Sequence, residues 1–119
     1  MGQPRYDATR NQYVYGDGPD DDTLDAVSGA IAHVGGTHAL TKAGVAVMTL
    51  SAPTAGEEGM RLFIVSRTAN AHTVTVAGGL GGNAADDVIT FAKVGDNIEL
   101  QADNLHWVPV GAGYGVVIS

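Results

Sequence analysis

Short apolar stretches alternate along most of the chain with turns that contain Gly, Pro, Asn or Asp. Beyond residue 36, eight of these stretches are rich in Val, Ile, Leu and Thr, and most of these residue types favour strands. They are 37–42, 45–51, 60–67, 72–76, 88–92, 97–102, 105–110 and 115–119. Many short strands at regular spacing are typical of an antiparallel β-sandwich or β-barrel, so the pattern predicts an all-β fold with about eight strands.

The alternation within each stretch predicts which residues face the core. In 97–102, Ile98, Leu100 and Ala102 alternate with polar residues, as in a strand with one buried face. Two other stretches are apolar on both faces, which is expected where a second sheet or another subunit covers the outer face. The residues that we predict there for the core and the subunit interface are Val45, Val47, Met48, Leu50, Leu62, Phe63, Ile64 and Val65.

The single tryptophan, Trp107, belongs to the same set of core or interface residues. It follows a predicted tight hairpin in which Asn104 takes the left-handed conformation. Leu105 and Trp107 fall on the same face of the strand, which favours core packing over stacking against a sugar.

The first 25 residues differ from the rest of the chain. They contain 6 of the 13 acidic residues and 3 of the 4 tyrosines, with few aliphatic side chains. Such a segment cannot form a core of its own. We therefore predict an extended polar N-terminal arm over 1–25 and a β-domain over 26–119. Residues 23–36 fit either a short helix capped by Asp22 or Thr23, or a strand with a bulge.

Length and charge narrow the class of protein. A chain of 119 residues suits one core. A net charge of −7 disfavours a nucleic-acid partner, because phosphates would be repelled. The absence of cysteine fits a reducing compartment. Neither a signal segment nor an apolar run of about 20 residues is present, so we expect a soluble protein made in the cytoplasm, with no membrane partner.

Motifs for cofactors and metals are weak. The glycines of 77–87 match neither of the phosphate-binding patterns G-x-G-x-x-G and G-x-x-x-x-G-K-[ST], so a flexible turn is the simpler interpretation. The acidic run 17–25 lacks the ligand order of an EF-hand loop. The four histidines, His33, His38, His72 and His106, show no metal-ligand spacing. We expect no cofactor and no metal, and note only that one histidine near a trimer axis would be present three times.

Residues for catalysis are equally unconvincing. No serine lies in a G-x-S-x-G elbow, and no cysteine is available as a nucleophile. Glu57 and Glu58 are adjacent in a loop of small residues, where a solvated turn is more common than a glycosidase pair. The sequence therefore predicts a protein that is not an enzyme.

Three segments carry a family resemblance. They are a T-L-x-A-P-T-A-G turn at 49–56, S-x-T-A-x-A-H-T-V-T at 66–75, and a tryptophan strand followed by G-V-V-I-S at 115–119. Over residues 37–119 the chain resembles a module of tailed-bacteriophage structural proteins, especially head decoration (cement) proteins and some fibre proteins. Residues 1–36 show no such resemblance.

The resemblance implies a virion protein on the outer capsid surface. It implies a homotrimer that binds the major capsid protein and stabilises adjacent subunits of the shell. In that setting the arm residues Arg5, Tyr6, Arg10, Tyr13 and Tyr15 are our candidates for capsid contacts, since Tyr and Arg dominate interface hot spots. Because the resemblance extends to fibre proteins, a carbohydrate-binding or host-attachment module is the alternative.

Overall fold

A computed structural model of the chain describes residues 4–7, 12–15 and 23–119. The described residues form twelve strands and one short 3₁₀ helix. The strands are β1 Pro4–Asp7, β2 Gln12–Tyr15, β3 Thr23–Asp25, β4 Gly29–Ala30, β5 Gly36–Leu40, β6 Val47–Leu50, β7 Arg61–Ser66, β8 His72–Val76, β9 Val88–Phe91, β10 Asn97–Asp103, β11 His106–Pro109 and β12 Val117–Ile118, and the 3₁₀ helix is Ala55–Glu57. The all-β prediction is confirmed, and each of the eight predicted stretches overlaps one strand.

Ten strands form two sheets of five, stacked face to face. Sheet I has the order β11-β10-β7-β5-β3, and sheet II has the order β12-β9-β8-β6-β4. From β3 to β8 the chain alternates between the sheets, so that each strand of sheet I is followed by one of sheet II. Residues 23–36 form β3 and β4, and the strand interpretation of this segment replaces the helix.

The pairing within the sheets corrects the expectation of an antiparallel fold, because both sheets are mixed. β3, β5 and β7 run parallel to one another, and so do β4, β6 and β8. The remaining pairs, which involve β9 to β12, are antiparallel. The reason is the alternation: a chain that leaves a sheet and returns after one strand in the other sheet re-enters it in the same direction. The alternation of apolar and polar residues along one strand is the same in parallel and antiparallel pairs, so this pattern could not distinguish them.

The core lies between the two sheets. It is formed by alternate residues of the inner faces, and its largest fully buried apolar side chains are Leu40, Met48, Leu50, Leu62, Ile64, Ile89, Phe91, Ile98, Leu100 and Trp107. Burial of each such side chain contributes on the order of 1.5–3 kcal/mol. The alternation predicted for 97–102 is present, since Ile98, Leu100 and Ala102 are buried.

A short turn joins β10 to β11, and a longer loop joins β8 to β9. Asn104 (φ 54°) and Leu105 (φ 66°) form the turn between β10 and β11, and the left-handed conformation predicted for Asn104 is present. The loop between β8 and β9 is more ordered than its glycine content suggests. Leu80 is buried in this loop, and the Gly81 N–H donates to the carbonyl of Trp107 (2.8 Å). The side-chain amide of Asn83 donates to the Asp86 carboxylate (3.0 Å). This loop is therefore packed rather than free.

Within the predicted arm, β1 and β2 form an antiparallel hairpin in which Tyr6 pairs with Tyr13 and Arg5 with Val14. This hairpin pairs with neither five-stranded sheet. The last three residues of the predicted arm form β3 and belong to sheet I. Arg10 lies outside the described residues.

Candidate functional site

The outer face of sheet II is the most distinctive surface of the described chain. Its members come from all five strands of the sheet, and each is small or β-branched. They are Ala30, Val47, Thr49, Thr73, Thr75, Val88, Thr90 and Val117, which we call the threonine face. One row of register partners crosses four strands through Val47, Thr73, Thr90 and Val117, and a second runs through Thr49, Thr75 and Val88. No strand position of this face carries a charge.

The threonine face is open to its surroundings. Val47 is 56% exposed and Val117 is 61% exposed, at opposite ends of one row. Within residues 23–119, none of the four threonine hydroxyls forms a hydrogen bond. Threonine and valine have few side-chain rotamers, so little conformational entropy would be lost when another surface covers them.

The outer face of sheet I is different in character. It carries Arg61 and Glu99, whose Nη1 and Oε2 atoms lie 3.8 Å apart, next to Gln101. A solvent-exposed pair of this kind contributes at most about 1 kcal/mol. Phe63 and Val65 lie half-buried on the same face. The two outer faces thus differ in charge, and only that of sheet II is uncharged.

The predicted core and interface residues divide between the two sides of the sheets. Met48, Leu50, Leu62, Ile64 and Trp107 lie in the core. The others, Val45, Val47, Phe63 and Val65, lie outside it, with Val45 46% exposed in the connection before β6. The threonine face could not be predicted as one surface. The Thr-Val-Thr alternation in β8 is evident from the sequence, but the register that joins β8 to β6 and β9 is not.

The edges of both sheets are short or blocked. β4 and β12 have two residues each, and β11 ends at Pro109, which has no N–H to donate. In β3 the Asp25 carboxylate lies inside, with Oδ2 3.8 Å from Nδ1 of the buried His38. Short edges, proline and inward charges all oppose pairing with a further strand. Association through the faces is therefore favoured over strand addition.

A cluster around His33 joins three segments of the chain. His33 Nδ1 lies 2.8 Å from Oε1 of Glu57, and Nε2 lies 3.0 Å from the carbonyl and 3.1 Å from Oγ of Ser51. The indole N–H of Trp107 donates to the same carbonyl (2.8 Å), and its ring meets the His33 ring edge-on at 5.4 Å. This cluster could not be predicted from the sequence, because its other members lie 18 to 74 positions from His33.

The distances of the cluster match those of a Ser-His-acid triad, but its hydrogen bonds differ. Nε2 also lies 3.0 Å from the Ser51 carbonyl, which can only accept, so a proton on Nε2 would be donated to this carbonyl, and in that tautomer Nε2 cannot take a proton from Oγ. The Thr54 backbone N–H, and then His33, lower the pKa of the half-buried Glu57 carboxyl. The ring thus lies between Glu57 and Ser51, and the cluster ties the loop after β6 to the connection before β5.

The adjacent carboxylates of the same loop have separate partners. Glu57 accepts the Thr54 N–H (2.8 Å), while Glu58 accepts the Asn104 N–H (3.0 Å) at the β10–β11 turn. The two side chains therefore bind different segments instead of facing one another across a substrate site.

Two other histidines are fully buried inside the chain. His38 Nε2 donates to the Val34 carbonyl (2.7 Å), whereas His72 Nδ1 accepts the Ala46 N–H (2.9 Å). Neither is available to an axis between subunits. Among the described residues, no three His, Asp or Glu side chains come together as a metal site.

A shallow cleft of about 350 Å³ lies along the β10–β11 edge of sheet I. Its lining consists of Gln101, Asp103, Val108, Pro109 and Val110. Sugar-binding clefts commonly present an aromatic ring for stacking, and Trp107 on the neighbouring position is buried in the core instead.

No family model matches the chain, and no curated protein sequence matches it. In the described part of the chain, no helix is long and apolar enough to cross a membrane.

Proposed function

We propose that this protein is a structural component of a bacteriophage virion, a head decoration protein that binds the major capsid protein on the outer surface of the shell. The observation that carries the proposal is the hairpin of β1 and β2, which pairs with neither sheet of the body. A hairpin of two short strands is at best marginally stable alone in water, so a partner surface would have to stabilise it. The resemblance of residues 37–119 to decoration modules supports the same role.

In this proposal the two parts of the chain have separate tasks. The body is a single unit, because its strands enclose a continuous apolar core. The hairpin supplies three tyrosines, at positions 6, 13 and 15, together with Arg5. Tyr and Arg are the residues most enriched in interface hot spots. The hairpin would anchor each subunit on the capsid, and the body would cover the junction between capsid subunits.

The proposal is tested by co-sedimentation with undecorated capsids. The full chain is expected to sediment with the shells and to raise their resistance to heat. A chain without residues 1–22 is expected to lose this binding while its body stays folded, which circular dichroism would verify. If the full chain stays in the supernatant, the decoration role is wrong. If the truncated chain binds equally well, the hairpin is not the anchor.

A host-attachment role is the second candidate, and one observation favours it. Tyr114 is 69% exposed, and its backbone N–H and C=O pair with those of Asn97 (2.8 and 2.9 Å). An exposed aromatic ring near amide groups is the arrangement that sugar-binding surfaces use. Binding of the wild type, but not of Tyr114→Ala, to a glycan array would support this candidate over the first.

A further inference from the structure

We infer that the threonine face is the surface through which copies of this chain pack against one another. The chain has a net charge of −7, so two copies repel one another over most of their surfaces. The threonine face has no charged strand position. Two copies therefore meet there without bringing carboxylates together.

The absence of charge on the threonine face also indicates which kind of partner binds there. A basic partner would gain from contact with the carboxylates of an acidic protein, and would leave an uncharged face unused. A second copy of the same acidic chain would instead have to avoid those carboxylates, and contact through the uncharged face avoids them. Depletion of charge is a known property of interface centres, and the threonine face has it across all five strands.

The chemistry of the face suits self-association in two further ways. Its side chains have little rotamer entropy to lose, so the surface is already ordered before contact. Its four free hydroxyls can each donate and accept, so the face of one copy can hydrogen-bond to neighbouring copies around a threefold axis without a separate complementary surface. The valines at the ends of the row, Val47 and Val117, are more than half exposed and would gain burial.

This inference deepens the proposed function, because it names the face used by the homotrimer that the decoration role implies. It does not require capsid binding. Self-association is measured on the protein alone, so its failure is distinguishable from a failure to bind shells.

The test is the molar mass of the full-length protein by light scattering over a range of concentrations. The wild type is expected at a multiple of the 12.1 kDa subunit mass. Thr75→Lys places a charge in the middle of the face and is expected to weaken association about 100-fold, as for burial of an unpaired charge. Lysine also reduces the net negative charge, so general repulsion cannot explain such a loss.

Thr37→Lys is the matched control. Thr37 is a half-exposed threonine on the outer face of sheet I, next to Phe63 in register, and this variant is expected to associate like the wild type. Val47→Lys, at the exposed end of the threonine face, is a second variant in case Thr75→Lys does not fold. A monomeric wild type overturns the inference. So does unchanged association of both face variants, or an equal loss in Thr37→Lys.

Discussion

Gly115 lies against the buried carboxylate of Asp96, so closely that a Cβ at position 115 would overlap Oδ1 and lie 2.7 Å from Cγ of Asp96. Gly115 also has φ +75°, a conformation that side chains rarely adopt. We expect Gly115→Ala to lower the free energy of unfolding by about 2–4 kcal/mol, measured by urea denaturation.

The matched control for that substitution is Gly111→Ala. Gly111 has a similar φ of +86°, but an added Cβ would meet nothing within 4 Å. The cost there should be that of the conformation alone, about 1–2 kcal/mol. Equal losses in the two variants would contradict the role assigned to the contact with Asp96.

The Asp96 carboxylate itself holds the turn between β9 and β10. It is 3% exposed, and its Oδ2 accepts the N–H groups of Ala92 and Lys93, each at 3.0 Å. Asp96→Ala leaves both donors without this acceptor, and we expect a loss of about 2–4 kcal/mol in the free energy of unfolding. Asp96→Asn retains an acceptor oxygen and should lose clearly less. Denaturation of both variants side by side would show this order, and the reverse order would refute it.

Stability should fall as the pH rises above 6.5, in part because of His38. Burial lowers the pKa of this histidine, but Asp25 and the carbonyl of Val34 outweigh burial, and the net shift is upward from 6.5. A histidine whose pKa is higher in the folded state stabilises the protein below its unfolded pKa, and this contribution is lost as the pH rises through the folded value. Asp25→Asn removes the charge that raises the pKa of His38. The free energy of unfolding of this variant should therefore decline less between pH 6.5 and 8 than that of the wild type. Equal declines in the two proteins would show that the Asp25–His38 pair does not cause the pH dependence.

His72 should act in the opposite direction and in a different pH range. Burial is the largest cause that lowers its pKa from 6.5. Its Nδ1 accepts the Ala46 N–H, so protonation there would break a buried hydrogen bond. Stability from His72 is present above pH 6.5 and is lost as the pH falls. In His72→Asn, the amide oxygen can still accept from Ala46, and the loss of stability between pH 6.5 and 5 should be smaller than in the wild type. An unchanged slope would show that His72 does not titrate in this range.

Ser51 should be chemically unreactive, although it lies 3.1 Å from a histidine. His33 Nε2 also lies 3.0 Å from the Ser51 carbonyl, and when it donates a proton to this carbonyl it has no lone pair with which to activate the hydroxyl. A fluorophosphonate probe that labels activated serines is therefore expected to leave Ser51 unmodified at neutral pH, as shown by peptide mass spectrometry. Labelling that disappears in His33→Ala would overturn this assignment and reveal a catalytic serine.

The positions of the strands could be predicted from the sequence because each strand is a short run of β-branched and apolar residues between turn formers. The alternation in β10 also predicted its buried residues. Pairing could not be predicted in this way, because Val47 and Thr73 are neighbours in the sheet across 26 positions of the chain. The parallel half of the fold depends on such distant pairs.

The candidate surfaces were harder to predict for the same reason. Val47 belongs to a stretch that is apolar on both faces. This pattern predicts a position in the core or at an interface and does not distinguish between the two. Only the register with β8 and β9 shows that it continues a row of threonines. The His33 cluster depends on the folding of two loops onto Trp107, and none of its members lies in a recognisable catalytic motif.

The alternation of strands between the two sheets makes the part of the body from β3 to β8 a stack of coils, and the height of this part is set by the number of coils. Gly36 pairs with Leu62 in sheet I and Val47 with Thr73 in sheet II, and both pairs are 26 positions apart. This coil is therefore a 26-residue unit that extends both sheets by one strand, whereas the coil before it is shorter, since Thr23 pairs with His38 and Gly29 with Met48. Each inserted or deleted unit would change the distance between β3 and β11 by about 4.8 Å, the spacing of neighbouring strands. The fold can thus vary the length of the body in regular steps while its two ends remain the same.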